Sequence, residues 1–221
     1  MVEISTSVLN VKKEEAIKTF YNLEVSGINF FHIDVMDGEF VENNTSSIML
    51  EYSEYIKQIS NIPLDVHLMV KDVKAYVDSF ICVTPDRITF HIEALKEKEE
   101  AINIIKYIKD NNIKVGIAIK PETKIEELYE YLPFIHMALI MTVEPGEGGQ
   151  KLIESTIEKI KELKKYIDDN DLEVDIEADG GINLDNIEKV KDAGCDIVVS
   201  GTAIINSGNY KETIAKMKKK W

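Results

Sequence analysis

Short apolar runs alternate along this chain with longer stretches in which apolar residues recur every three or four positions. The first pattern predicts strands and the second amphipathic helices. Strands are predicted at "VEISTSVL" (2–9), "NFFHIDVM" (29–36), "IPLDVHLM" (62–69), "DRITFHIE" (86–93), "KVGIAIK" (114–120), "HMALIMTV" (136–143), "EVDIEAD" (173–179) and "DIVVSG" (196–201). Helical stretches between them include "KKEEAIKTFYNLEV", "EKEEAINIIKYIKDN" and "STIEKIKELKKYIDDN". A further one, "NLDNIEKVKDAG", opens with an Asn suited to an N-cap and ends in Gly194 as a C-cap. Eight strand–helix units in 221 residues come at roughly 28 residues each, the size expected of a closed (β/α)8 barrel. An open doubly wound sheet is the rival architecture, but its usual GxGxxG turn is missing after residues 2–9. No linker or low-complexity stretch divides the chain, so 1–221 reads as one α/β domain, a TIM barrel.

Alternate residues on a strand share a face. One face reads Ser5/Ser7, His32/Asp34/Met36, Asp65/His67/Met69, Thr89/His91/Glu93 and Asp175/Glu177/Asp179. The other reads Ile33/Val35, Leu64/Val66/Leu68, Ile88/Phe90/Ile92 and Val174/Ile176/Ala178. In a barrel the apolar face packs on helices and the polar face points inward, toward the active-site end. Within that frame His32, Asp34, His67 and Asp179 meet across the barrel mouth. Two imidazoles and two carboxylates form a four-ligand set for one divalent transition metal ion, whether zinc, iron, manganese or cobalt. Asp65 and Glu177, one layer deeper, are positioned to accept the remaining imidazole N–H groups. Met36, Met69 and Met141 are either plain packing or an apolar lid over the reacting carbons.

Three glycine clusters follow the last three strands: "EPGEGGQK" (144–151), "DGGI" (179–182) and "SGTAI" (200–204). Glycine lets backbone N–H groups approach an anion closely, and such barrels bind phosphate at these late loops. A phosphorylated small molecule is therefore the expected ligand. The formal charge of −14, with no basic cluster beyond the terminal "MKKKW", argues against nucleic acid and anionic membranes. No apolar run reaches the length of a membrane span, and residues 1–16 do not read as a secretory signal. A cytoplasmic location is expected. Cys82 and Cys195 form no CxxC pair and are expected to be two buried reduced thiols rather than a disulfide or metal ligands.

The pieces "HIDVMDG", "LDVHLM", "ITFHIEA", "MTVEPGEGGQ", "ADGGIN" and "SGTAI", in this order, resemble the ribulose-phosphate 3-epimerase family from Ser7 to Tyr210. The resemblance implies a metal-dependent barrel of the ribulose-phosphate-binding type. It also implies interconversion of D-ribulose 5-phosphate and D-xylulose 5-phosphate in the pentose phosphate pathway. By motif it makes His32, Asp34, His67 and Asp179 the metal ligands and Asp34 and Asp179 the acid/base pair. Ser7, His67 and the three methionines would contact substrate, while Gly146, Gly148, Gly149, Gly180, Gly181, Gly201 and Thr202 would hold its phosphate. The family's habit of association implies a homo-oligomer.

That chemistry is self-consistent, because inverting a carbon beside a carbonyl needs a base on one face and an acid on the other. A cation on the oxygens stabilises the enediolate. Asp37 has the wrong parity for the ligand face and is expected to fix the turn with Gly38.

Several positions depart from the family's usual residues. Relatives carry Pro at Thr6, His at Glu39, Pro at Glu42, an Asn-Pro-Gly-Thr run at "KPET" (120–123), and Asn and Phe at Glu144 and Glu147. Lys120 thus replaces an inward-facing amide, and Glu147 is expected to face solvent. "KPET" and "MTVEPG" also resemble the allulose 6-phosphate 3-epimerases, which makes a six-carbon substrate one alternative. A non-catalytic phosphosugar-binding barrel, suggested by the acidic replacements, is the other.

Overall fold

Eight parallel strands close in chain order into one barrel in the computed structural model, which describes residues 2–219. They are β1 (Glu3–Ser7), β2 (Phe30–Met36), β3 (Leu64–Met69), β4 (Arg87–His91), β5 (Lys114–Ile119), β6 (Met137–Met141), β7 (Asp175–Asp179) and β8 (Ile197–Val199). The helices are α1 (Ala16–Val25), α2 (Ser46–Ile59), α3 (Val73–Ile81), α4 (Lys98–Asp110), α5 (Glu126–Tyr129), α6 (Ser155–Asp169), α7 (Ile187–Asp192), α8 (Thr202–Ile205) and α9 (Tyr210–Lys218). Each predicted strand is present, one to three residues shorter at its ends. Among the described residues no helix is long and apolar enough to cross a membrane.

The apolar strand faces meet the helix ring as the alternation requires. Phe31, Ile33, Val35, Val66, Leu68, Ile88 and Phe90 are fully buried in the layer between barrel and helices. Phe20 of α1 sits edge-on to both Phe31 and Tyr52, with ring centroids 5.9 and 5.2 Å apart. Each such side chain contributes roughly 1.5–3 kcal/mol when fully buried.

The barrel interior is unusually polar. Ser5, His32, Asp65, His67, Thr89, His91 and Glu177 are all fully buried there. At its foot Phe30, Met137 and Ile197 form an apolar plug. The Arg87 guanidinium stacks 4.1 Å over the Phe30 ring and donates to Met137 Sδ at 2.9 Å.

Four expectations change. Asp175 lies at the exposed foot of β7 and does not join the inward set, because the strand enters the barrel only at its next residue. Glu93 falls beyond β4, in the 3-10 turn Ile92–Ala94. The helix expected over 183–194 is confined to α7. There Asn183 folds its own turn, accepting from the Asp185 N–H, and Gly194 closes the end with φ of +100°. Cys195 is buried and free, but Cys82 is exposed, because it caps α3 at the outer surface.

Candidate active site

Strand register brings the polar pairs together before any side chain is considered. His32 stands beside Ser7 on one neighbour and Asp65 on the other, and Asp34 stands beside His67. Asp179 ends β7 beside Met141 of β6, on the other side of the barrel mouth. The barrel is narrow enough for these side chains to converge.

His32 Nε2 lies 3.3 Å from Asp34 Oδ1 and 3.6 Å from Asp179 Oδ2. His67 Nδ1 lies 3.4 and 3.5 Å from the same two oxygens. All four donor atoms lie within 4.8 Å of one another. Both ring nitrogens are buried without a hydrogen-bond partner among the described residues. The four nitrogen–oxygen edges of this set, 3.3–3.6 Å, match the edge of a tetrahedron whose corners lie about 2.0–2.2 Å from its centre, the bond length of zinc to imidazole and carboxylate. The set therefore fits a divalent cation.

The supporting groups are only half as expected. Asp65 Oδ2 bonds His32 Nδ1 at 2.8 Å and accepts the Ser5 hydroxyl at 2.7 Å. Glu177 serves neither histidine well; its nearest approach to His32 Nδ1 is 3.9 Å. Burial, and then the charge on Asp65, push the Glu177 carboxyl well above the usual range. The far nitrogen of His67 instead meets His91, Nε2 to Nε2 at 2.9 Å, and His91 Nδ1 meets Glu93 at 3.1 Å. Both residues were visible in the inward set, but nothing along the chain marks them as partners of His67.

Charges in the cluster balance locally. Burial opposes a proton on His32 and on His67, yet the surrounding carboxylates hold His32 well above and His67 above the ordinary imidazole value. Burial likewise favours neutral Asp34 and Asp179, but the two rings beside them pull Asp34 well below and Asp179 below the ordinary carboxylate value. Ser7 donates its hydroxyl to Asp34 Oδ2 at 2.7 Å. The Thr45 hydroxyl bonds the Asp34 carbonyl at 2.6 Å and pins the end of β2.

Above these groups opens a cavity of about 290 Å³ at the C-terminal end of the barrel. Asp34, Asp179, Ser7 and the methionines 36, 69 and 141 form its floor and sides. Gly146, Gly148, Gly149, Gly180, Gly181, Gly201 and Thr202 also line it. His67, expected also to touch substrate, does not line it, because its ring lies buried below the two carboxylates. Asn10 lines it unforeseen, with Nδ2 3.3 Å from Thr202 Oγ1. Its chain position carries no periodic signal.

The glycine wall is tightly set. Gly180 and Gly181 adopt φ of +125° and +68°, conformations that side chains resist. Thr142 donates its hydroxyl to the Gly180 carbonyl at 2.5 Å. Asn43 Nδ2 bonds the Gly146 carbonyl at 2.8 Å and ties the loop after β2 to the loop after β6. Glu144 and Glu147 are exposed, yet both line the cavity, so Glu147 stands at its solvent rim rather than wholly away from it as expected. Asp37 accepts from the N–H groups of Glu39, Phe40 and Lys71, fixing its turn as its parity implied. Lys120 stays outside the cavity wall, its ammonium 4.0 Å over the Phe40 ring.

Known proteins bear on this arrangement. The sequence matches the ribulose-phosphate 3 epimerase family over residues 3–205. It is 35% identical over 218 residues to a ribulose-phosphate 3-epimerase of Methanocaldococcus jannaschii, covering 99% of this chain and 90% of that protein. It is 32% identical to that of Bacillus subtilis, covering 99% of each. Among solved structures, 3-keto-L-gulonate-6-phosphate decarboxylase from Vibrio cholerae superposes with a TM-score of 0.74 at 12% identity, covering 98% of this chain and 95% of that one. A 3-hexulose-6-phosphate synthase from Salmonella typhimurium gives 0.72 at 14%, covering 98% and 96%. At such identities these structures speak for the barrel alone. With a family match over most of the chain and full-length relatives above 30% identity, this chain belongs to the ribulose-phosphate 3-epimerase family.

Proposed function

We propose that this protein interconverts D-ribulose 5-phosphate and D-xylulose 5-phosphate, with Asp34 and Asp179 as the acid/base pair. One observation carries the reading. Two imidazoles and two carboxylates with nearest spacings of 3.3–3.6 Å lie at one end of a cavity whose other end is three glycine loops.

His32, Asp34, His67 and Asp179 would hold one divalent cation, which when bound supplies positive charge to stabilise the enediolate oxygens. One aspartate removes the C3 proton from one face of the sugar, and the other returns a proton to the opposite face. The two sit on β2 and β7, on separate walls of the cavity. They share protons with two rings, so the group titrates as a set and neither acid has a private pKa. Ser7, bonded to Asp34 Oδ2, fixes that carboxylate's orientation. Met36, Met69 and Met141 keep water from the planar intermediate. The glycine N–H groups and the Thr202 hydroxyl bind the phosphate, since among the described residues no Lys or Arg lines the cavity.

The test is the reaction run in D₂O. Deuterium is expected at C3 of newly formed xylulose 5-phosphate, with the rate lost on chelation and regained with zinc, manganese, iron or cobalt. Epimerisation that keeps the original protium would refute the proton transfer. Comparing kcat/KM for five- and six-carbon ketose phosphates tests the substrate. Of the two features that suggest a hexulose, Lys120 of "KPET" lies outside the cavity wall, whereas Met141, Val143, Glu144, Pro145 and Gly146 of "MTVEPG" line it. An inert barrel would bind phosphosugar without turnover.

A further inference from the structure

Inside the barrel a chain of side chains leads away from His67. Its Nε2 lies 2.9 Å from His91 Nε2, with the two rings stacked at centroids 5.0 Å apart. His91 Nδ1 lies 3.1 Å from Glu93 Oε2. The other oxygen, Glu93 Oε1, accepts the Lys120 N–H at 2.7 Å and the Thr123 hydroxyl. His91 is fully buried, and its ring touches no other acceptor at Nδ1 among the described residues.

Donor and acceptor counting gives this chain a direction. An ionised carboxylate only accepts. With Oε1 taken by two donors, Oε2 requires a hydrogen from His91 Nδ1. His91 Nε2 is then a bare acceptor, so the hydrogen between the two rings belongs to His67 Nε2. In the neutral ring, the form that can bind a cation, that leaves the lone pair on His67 Nδ1, the atom 3.4 and 3.5 Å from the Asp34 and Asp179 oxygens. His32 reaches the same condition by a shorter route, through the direct bond from its Nδ1 to Asp65.

We propose that Glu93, acting through His91, is a positioning residue that holds His67 as the Nε2–H tautomer with its Nδ1 lone pair facing the two aspartates. The role rests on the reading of the cluster as a metal centre. Outer partners of this kind are typically worth about 10–100-fold in metal affinity. The rival explanation is that Glu93 simply ties down the turn at 120–123.

Two measurements separate these. The first is the ¹⁵N spectrum of the histidine rings, on wild-type protein with and without zinc. His91 is expected protonated at Nδ1 and bare at Nε2; the reverse pattern would overturn the proposal without any variant. The second is zinc affinity by competition with a chromophoric chelator. In Glu93→Gln the amide oxygen can still accept from Lys120 and Thr123, so its NH₂ must face His91 Nδ1. The His91 hydrogen then moves to Nε2, against the His67 N–H, and zinc is expected to bind about 10–100-fold more weakly. Thr123→Val removes one donor to Glu93 Oε1 but leaves the Lys120 N–H there and the Oε2 contact to His91 intact, so zinc affinity is expected to stay within about threefold of wild type, with His91 unchanged. Wild-type affinity in Glu93→Gln, or an equal loss in Thr123→Val, refutes the relay. If the wild-type protein fails to bind zinc, the metal-centre reading falls instead, and the His91 spectrum of the metal-free protein still decides the tautomer.

Discussion

The glycine wall can be tested by adding one methyl group at Gly181. Its φ is +68°, and a Cβ built there would stand 2.5 Å from Leu152 N, 2.7 Å from Gln150 O and 2.9 Å from the Lys151 carbonyl carbon. All three are backbone atoms, so no rotamer change relieves the overlap; the segment at 150–152 must move. Gly27 is the matched control. It has a φ of +83° and nothing within 4 Å of the same hypothetical Cβ. Gly27→Ala carries only the left-handed penalty, about 1–2 kcal/mol. Gly181→Ala carries that plus overpacking of typically 1–3 kcal/mol, or about 2–5 kcal/mol together. For a domain of this size, 1 kcal/mol shifts Tm by about 2–4 °C. Thermal melts should therefore drop by about 2–8 °C for Gly27→Ala and clearly further for Gly181→Ala. Substrate kinetics read the second consequence. Displacing 150–152 moves the loop that holds Gly146, Gly148 and Gly149, so KM should rise in Gly181→Ala and stay level in Gly27→Ala. Equal melts for the two variants, or an unchanged KM in Gly181→Ala, would refute the argument that the wall is built by close backbone approach.

Asp179→Asn should cut turnover by about 10²–10⁴. If Asp34 remains a base, one of the two epimers should still exchange its C3 hydrogen with D₂O in that variant, and near-wild-type epimerisation would reassign the acid/base role. Zinc affinity should climb with pH through the range in which His32 and His67 lose their protons. Both pKa values are raised by neighbouring carboxylates, so protons compete with the cation to higher pH than for free imidazole; a pH-independent Kd would contradict this. Glu147→Gln should lower KM by less than about fivefold at low ionic strength, with the effect fading in salt, since the side chain is exposed and screened. A large, salt-resistant effect would mean that the carboxylate, which stands at the cavity rim, meets the substrate directly rather than through solvent.

Much of this site was legible in the chain. His32, Asp34, His67 and Asp179 each occupy the polar side of a period-2 pattern near a strand end, and parity alone aims them into a barrel. Asp65 was readable as the partner of His32 for the same reason, since two adjacent strands in parallel register put them side by side. Glu177 had identical credentials and failed, because its 3.9 Å from His32 depends on how far β7 is staggered against β2 across the barrel. The same alternation aims His91 and Glu93 inward but marks no partner for either. Glu93 finds its role only where the chain turns after β4 and meets the loop after β5. Asn10 could not be found from its neighbours, as its contact with Thr202 spans 192 positions.

The order of polar and apolar residues determined, by itself, that strands alternate with helices, which face of each strand is wet, and so which acids and imidazoles point inward. Those are local properties, written in periods of two and 3.6 residues. Which inward groups touch, how many protons they share and which nitrogen of His67 is bare were decided only by the tertiary structure. Stagger around a closed barrel accumulates over all eight strand pairings, and no single segment contains that sum.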